Sequence, residues 1–331
     1  MPLDIAAARA PRPTWVAWGQ LMRISLAPSA IGDAWLGLLL GAGTLPLRPA
    51  ALIPIAASLC VYCGGLALND LVDREEDRRT RPGRPVPSGA VPLWGAWVLA
   101  LVLLLAGPAI AALASPGAAL AYAAVALIAV LYDVAGRGPL RGPVLLGLAR
   151  AGNVAAAAVA AGALFNPDTL NVPPAAWTLA ACYGLYVFAV SRLGRLEDDP
   201  STAPGARPRT PLRAAAVLLA LGPLVAIGLA AVDSVPKPGF GEYVAAFAGA
   251  LVAVFGARAL WREANARTLW THAEVVRAMG IALRRLMVFT GASALVVGAA
   301  VGAPREGAQT ALLILIGFPL SARLRRRFPP S

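Results

Sequence analysis

The sequence predicts an all-α fold, a polytopic membrane helical bundle of about nine or ten transmembrane helices. Three observations carry this expectation. Of 331 residues, 58% are hydrophobic and only 14% are charged. The mean hydropathy is +0.68, far above that of an ordinary soluble domain. The apolar residues also come in blocks of the length that crosses a hydrocarbon core, about 17–25 residues.

The blocks run over 24–42, 51–69, 92–114, 117–133, 143–164, 175–191, 212–232, 242–258 and 285–302, with a shorter tenth over 308–322. The tenth is about 15 residues, so ten spans and nine spans plus a re-entrant segment both stay open. Alanine and glycine crowd the spans, as in 155-AAAAVAAGA-163, which suits close helix packing in lipid. Residues 1–331 read as one domain, because such a bundle packs as a unit. No cleavable signal peptide is expected at the opening MPLDIAAARAPRP. Cys60 and Cys63 form C-x-x-C inside the second span without a second pair, which reads as packing rather than zinc or redox chemistry.

The net charge of +12 does not point to nucleic acid, because its distribution follows the membrane. With ten spans, all of the 29 basic residues except Arg48, Lys237 and Arg305 fall on one side, which also holds both termini. The positive-inside rule makes that side cytoplasmic. The expected location is therefore the cytoplasmic membrane, with lipid headgroups as the default partner of most arginines.

One segment breaks the apolar background: 69-NDLVDREEDRRTRPGRPVPSG-89, leaving the second span on the cytoplasmic side. Asp70, Asp73 and Asp77 are spaced i, i+3, i+7, which on a helix places them within about 60° of one another. Three carboxylates so close repel each other unless a cation sits between them. The following loop supplies Arg78, Arg79, Arg81 and Arg84, held by Pro82, Pro85 and Pro87. Carboxylates beside arginines at a helix end suit a Mg²⁺-bound polyphosphate: Mg²⁺ takes one or two carboxylates plus phosphate oxygens, and arginine binds the other oxygens as a fork. The bland reading is a solvated, self-paired charged loop.

Asn69-Asp70-x-x-Asp73-x-x-x-Asp77 resembles the N-D-x-x-D-x-x-x-D signature of the UbiA superfamily of intramembrane prenyltransferases. Arg84-Pro85-Val86-Pro87-Ser88-Gly89 resembles the R-P-L-x-S-G stretch that follows it there. The resemblance implies a bundle with a lateral opening to lipid and an active site at the cytoplasmic helix ends. It implies transfer of a polyprenyl group from its diphosphate to a small acceptor, with Mg²⁺ required. Two Mg²⁺ ions and arginines would stabilise the departing diphosphate, and an apolar pocket with aromatic faces would shelter the allylic cation. Tyr62, seven residues before Asn69 on the same face, is a candidate wall residue or a plain packing residue.

The family's second acidic motif is degraded here to 191-SRLGRLEDDPSTAPGARPRTP-211. Glu197, Asp198 and Asp199 are adjacent rather than spaced along one face. Each acidic region is nonetheless an apolar helix, an acidic end, an Arg/Pro/Gly loop and another apolar helix. Such pseudo-symmetry would bring the two clusters together, with Glu197 and Asp198 as a second metal site and Arg195 as a diphosphate contact. The alternative is a solvated turn before Pro200. The serine–arginine at 191–192 with its nearby glutamate resembles the EboC-type branch, and 147-GLARAGN-153 resembles a G-x-x-R-x-x-N segment found there. Tyr132 and Arg137 resemble the family's Y-x-x-x-K region, with arginine one position late in place of lysine.

Three more polar residues lie within spans. Asp33 sits midway along the first, where a carboxylate is costly without a cavity or partner. Arg150 and Asn153 share a face of the fifth, which suits either acceptor or diphosphate contact or hydrogen bonds between helices. His272 lies in 258-RALWREANARTLWTHAEVVRAMG-280, which reads as an interfacial amphipathic helix. Two other functions compete: an ion- or proton-coupled transporter, and a catalytically inactive family member. Transporter acids usually lie at interrupted helices near the midplane, whereas this cluster lies at a helix end. Neither a P-loop nor a dinucleotide fingerprint is present.

Overall fold

The computed structural model describes residues 14–136, 138–167, 172, 174–197, 208–225, 238–267 and 270–329. Among these no strand occurs. The helices are α1 Thr14–Leu21, α2 Ala27–Ala42, α3 Leu52–Val72, α4 Arg74–Thr80, α5 Leu93–Ala111, α6 Pro116–Ala135 and α7 Arg141–Phe165. They continue with α8 Pro174–Glu197, α9 Arg209–Leu221, α10 Phe240–Asn265, α11 His272–Ala300, α12 Pro304–Leu315 and α13 Gly317–Arg327. Nine segments among the described residues are long and apolar enough to cross a membrane. The expected seventh span begins as α9 and a short 3₁₀ turn, Gly222–Leu224; its continuation lies outside the described residues.

Two expectations need correction. The last span is not a short run: α12 and α13 adjoin at Ile316 and together cover Pro304–Arg327, 24 residues. Glu306 and the terminal arginines had shortened it in the apolar count. Nor is 258–280 one interfacial helix. α10 runs on to Asn265, and α11 starts anew at His272 behind a capping box. Thr271 Oγ1 accepts from the Glu274 N–H, and Glu274 Oε2 accepts from the Thr271 N–H, satisfying two otherwise orphaned donors. Arg267 bridges the corner to Glu263 and Glu274 and lies over the Trp270 ring. His272 is exposed.

Among the described residues the bundle has a small apolar cluster of Leu38, Ala42, Ala51 and Ala161 and two large ones that meet at α7. One joins α1, α3, α5, α6 and α7 through residues such as Val61, Leu104, Tyr122 and Ala156. The other joins α2 and α7–α12 through residues such as Leu36, Val154, Tyr183, Leu219, Leu260, Phe289 and Ile314. Small residues set the spacing. A Cβ added to Gly41 would lie 2.1 Å from the Ala158 carbonyl oxygen, and one on Gly37 2.5 Å from that of Val154. α2 therefore lies almost backbone to backbone on α7, the approach that small-x-x-x-small pairs permit in lipid. Leucine, valine and phenylalanine on α5, α6 and α10, among them Leu105, Leu120 and Phe247, point outward. That face is stable only against hydrocarbon: the chain is a multi-pass membrane protein.

Candidate active site

The acidic motif sits where α3 gives way to α4. The i→i+4 bonds persist across the junction, Asp73 N–H to Asn69 O at 3.0 Å and Asp77 N–H to Asp73 O at 2.8 Å. The aspartates therefore stay on one side of the chain. Asp70 and Asp77 are buried, and both bind Arg84: its Nη1 lies 2.5 Å from Asp77 Oδ2 and 3.3 Å from Asp70 Oδ1. Arg23 adds a second guanidinium, 3.1 Å from Asp70 Oδ1 and 3.4 Å from Asn69 Oδ1. Arginine thus supplies part of the positive charge that the clustered carboxylates demand. On the other face of α4, Glu75 is exposed and pairs with Arg74 and Arg78, contacts of small energetic value in solvent.

The loop after α4 is folded to deliver Arg84. Consecutive turns close through Arg84 N–H to Arg81 O, Ser88 N–H to Arg84 O and Gly89 N–H to Val86 O. Gly89 has φ +75°, a backbone conformation in which a side chain would be strained. Pro85 and Val86 are buried beside Arg84, so the proline-rich stretch works as a rigid bracket. Arg23 itself has φ +44°. It is the single non-glycine residue with positive φ among the described residues, and such strain is often held at functional sites.

Asn69 ties the motif to α6. Its Nδ2 donates to Asp73 Oδ2 and to Asp133 Oδ1, each at 3.1 Å. Asp133 is 6% exposed, and its Oδ2 is buried without a partner. Asn69 and Asp133 line a cavity of about 300 Å³ enclosed by α2, α3, α6, α7, α8, α11 and α13, whereas Asp70, Asp73, Asp77 and Arg84 stand behind its wall and do not line it. Asn69, Tyr132, Asp133 and Arg23 form one polar flank, and Tyr62, Leu66, Val125 and Ala129 form an apolar stretch.

This donor set fits a hard divalent cation. No group of three carboxylate, histidine or cysteine side chains converges to hold a metal alone among the described residues. Mg²⁺ does not need that, since it retains waters and substrate oxygens. Asp73 and Asp133 share one amide donor, and the orphaned Asp133 oxygen gains a partner if a cation binds.

The inner wall holds a buried polar group. Arg150 Nη2 lies 3.1 Å from Asp33 Oδ2 and donates to Tyr183 Oη at 2.9 Å. Tyr183 donates to Asp33 Oδ1 at 2.7 Å, and Asn153 Nδ2 to Asp33 Oδ2 at 3.3 Å. The Arg150 guanidinium also lies 5.7 Å from the Tyr62 ring centre and 5.8 Å from that of Tyr183, placed for cation–π attraction. The costly Asp33 charge is therefore paired across α2, α7 and α8. Arg150 and Asn153 make these interhelical bonds while also lining the cavity.

Other expected site residues lie elsewhere. Arg81 is exposed at the end of α4. Arg195 donates to the Gly136 carbonyl at 2.7 Å, borders a separate surface pocket with Arg192, and does not line the central cavity. It is nevertheless near enough, with Asp73, Asp133 and Arg23, to act electrostatically on Tyr132. Arg137, Asp198 and the Glu197 side chain lie outside the described residues, as does Asp199. Asp133, Arg23 and Tyr183 were not singled out from the sequence. Asp133 carried one signal: it ends an apolar span in register, i+4 and i+8, with Ala129 and Val125.

Fold and site together define a polytopic helical membrane protein whose carboxylate–arginine cluster adjoins a largely apolar cavity, which it reaches through Arg23, Asn69 and Asp133. A model of the UbiA prenyltransferase family matches residues 30–279, and the chain belongs to that family. Digeranylgeranylglyceryl phosphate synthase of Ignicoccus hospitalis is 40% identical over 98 residues, 29% of this chain and 32% of that protein. Its namesake from Halobacterium salinarum is 32% identical over 192 residues, 57% of this chain and 66% of that protein. The matches thus span about a third and just under two thirds of those relatives. A UbiA homologue from Archaeoglobus fulgidus, solved bound to DMAPP and Mg²⁺, aligns with TM-score 0.58 and 17% identity over 87% of this chain and 99% of that one. An apo UbiA homologue from Aeropyrum pernix K1 aligns with TM-score 0.58 and 23% identity over 80% of this chain and 96% of that one. At these identities the structural likeness is one of fold.

Proposed function

We propose that this chain transfers a polyprenyl group from its diphosphate to a small acceptor within the membrane, with Mg²⁺ as cofactor. The observation that carries the reading is the junction of Asn69, Asp73 and Asp133 beside the Arg84-braced Asp70 and Asp77, with Asn69 and Asp133 lining a largely apolar cavity. Family membership and the Archaeoglobus homologue bound to DMAPP and Mg²⁺ support it.

Asp73 and Asp133 would hold the cation, with Asp70 and Asp77 as further carboxylates and Glu197 and Asp198 as a second set. Mg²⁺, when bound, offsets charge on a departing diphosphate. Arg84 and Arg23 keep the carboxylates fixed, so little reorganisation accompanies reaction. Arg81 and Arg195, with Tyr132 and Arg137 at the end of α6, are candidates for the diphosphate oxygens. Tyr62, Leu66 and Ala129 exclude water from the allylic carbon, and the Tyr62 ring faces developing positive charge. Arg150 and Asn153, pinned by Asp33, shape the inner wall. The diphosphate leaves with the electron pair of the C–O bond. The acceptor's nucleophile then forms the new bond to carbon and gives up its proton.

The bias of basic residues supports a cytoplasmic membrane location, with the site and both termini toward the cytoplasm. The name of the curated relatives supports a glycerophosphate-like acceptor. The test is binding and turnover of geranyl diphosphate by the full chain in detergent. EDTA abolishes both and Mg²⁺ restores them; activity in a rigorously chelated sample would overturn the reading.

A further inference from the structure

The central cavity has a second charged flank, opposite the acidic one in composition. Arg284 of α11 and Arg325 of α13 both line it. Neither has a hydrogen-bond or ion-pair partner among the described residues, and the two guanidinium groups act on each other as like charges. Arg285 adds a third positive charge, with its Nε buried and unpartnered.

The ordinary account of such arginines is topology and headgroup contact. It fits Arg323, Arg326 and Arg327, which are exposed on α13 and do not line the cavity. It does not fit Arg325, which is half-buried and turned inward. Its direction is fixed one turn earlier by Ser321, whose Oγ donates to the Ser25 carbonyl at 2.5 Å and which lines the cavity as well. Residues i and i+4 share a helix face, so the anchor that docks α13 also aims Arg325 inward. Two partly buried guanidinium groups on one cavity wall repel each other, and an anion that bridges them replaces that repulsion with charge-assisted hydrogen bonds.

We propose that Arg284 and Arg325 form an anion subsite that holds the phosphate head of the acceptor, with its alkyl chain along the cavity wall at Met279, Leu283 and Met287. This rests on the prenyl-transfer reading. It deepens that reading by assigning the acidic flank to the donor's metal diphosphate and the basic flank to a singly chained lipid phosphate. The apolar stretch between the flanks is where the two substrates meet.

The test uses the full chain in phosphatidylcholine nanodiscs, with tryptophan fluorescence reporting binding. The probes are oleoyl lysophosphatidic acid, its uncharged counterpart monoolein, inorganic phosphate, and geranyl diphosphate with Mg²⁺. Lysophosphatidic acid binds the unaltered protein at least about tenfold tighter than monoolein, the scale of one charge-assisted contact. Arg284→Gln with Arg325→Gln removes that preference and leaves geranyl diphosphate affinity within about threefold. Arg326→Gln with Arg327→Gln changes neither. If the double variant does not fold, Arg284→Lys with Arg325→Lys replaces it and retains a preference for the charged lipid over monoolein. The proposal is overturned if the inward double variant keeps the lysophosphatidic acid preference, or if its loss falls on geranyl diphosphate. It is equally overturned if inorganic phosphate competes as well as the lipid, or if the outward pair has the same effect. Failure of geranyl diphosphate to bind the unaltered protein with Mg²⁺ would instead overturn the prenyl-transfer reading.

Discussion

The Asn69 side-chain nitrogen lies 3.1 Å from Asp133 Oδ1, which joins the acidic motif of α3 to the end of α6. The same nitrogen serves Asp73, so one amide sets the separation of two carboxylates on different helices. If both carboxylates bind a cation, removing either weakens the site before any reaction occurs.

Asp133→Asn is therefore expected to lower Mn²⁺ affinity at least about tenfold, the usual scale for losing or disturbing a metal-site contact. Electron paramagnetic resonance of bound Mn²⁺, with no substrate present, is the measurement. Asp73→Asn behaves alike, whereas Glu75→Gln on the solvent face leaves affinity unchanged. Undiminished Mn²⁺ binding by Asp133→Asn would remove Asp133 from the ligand set.

The first motif was legible because it departs from an apolar background and because its spacing converts directly into a helix face. What the spacing could not supply is the partner of each carboxylate. Arg23, grouped with the topological arginines, reaches Asp70 from the turn between α1 and α2, where its own left-handed backbone redirects the chain. Asp133 was hidden in α6, where one acid at a span's end reads as a boundary. The capping box at Thr271 and Glu274 was visible as letters but was overridden by the amphipathic pattern around it. The intervals of most spans were legible because bilayer thickness sets them; the last was shortened by Glu306 and the terminal arginines, and the rest of the seventh lies outside the described residues.

Asp33 and Arg150 are buried partners, and breaking such a pair costs more than deleting both members. Asp33→Asn leaves a buried guanidinium charge without its counter-ion, an expected loss of about 3–5 kcal/mol. Arg150→Met in that background relieves part of it. Thermal unfolding in detergent should place the double variant above Asp33→Asn alone. Additive losses would mean that the pair does not act as a unit.

The distribution of basic residues makes a topology prediction. In a background without Cys60, Cys63 and Cys182, cysteines at Ser88 and Ala203 react with an impermeant reagent only from the cytoplasmic face, and one at Gly239 only from the outside. Reaction of positions 88 and 203 from opposite faces would separate the two acidic regions and abolish a shared site.

The second acidic region is the remaining question, and Arg195 gives it a place in space. Its bond to the Gly136 carbonyl draws the end of α8 against the end of α6, next to Tyr132 and Asp133. Gly142 leaves room for this contact, since a Cβ there would fall 2.1 Å from Arg195 Nη2. Glu197 follows within the same turn of α8. A metal held there would act on diphosphate departure, where charge develops most, and metal-assisted stabilisation is worth several kcal/mol. Each 1.4 kcal/mol lost slows the step about tenfold. Glu197→Gln with Asp198→Asn should lower kcat at least about a hundredfold and raise the Mg²⁺ requirement. Arg195→Ala, which removes a cation and a helix contact rather than a metal ligand, should mainly raise KM for the diphosphate. Steady-state kinetics at several Mg²⁺ concentrations separate the two. Near-full activity of the double variant at low Mg²⁺ would show that Asp70, Asp73, Asp77 and Asp133 suffice, with α8 contributing position alone.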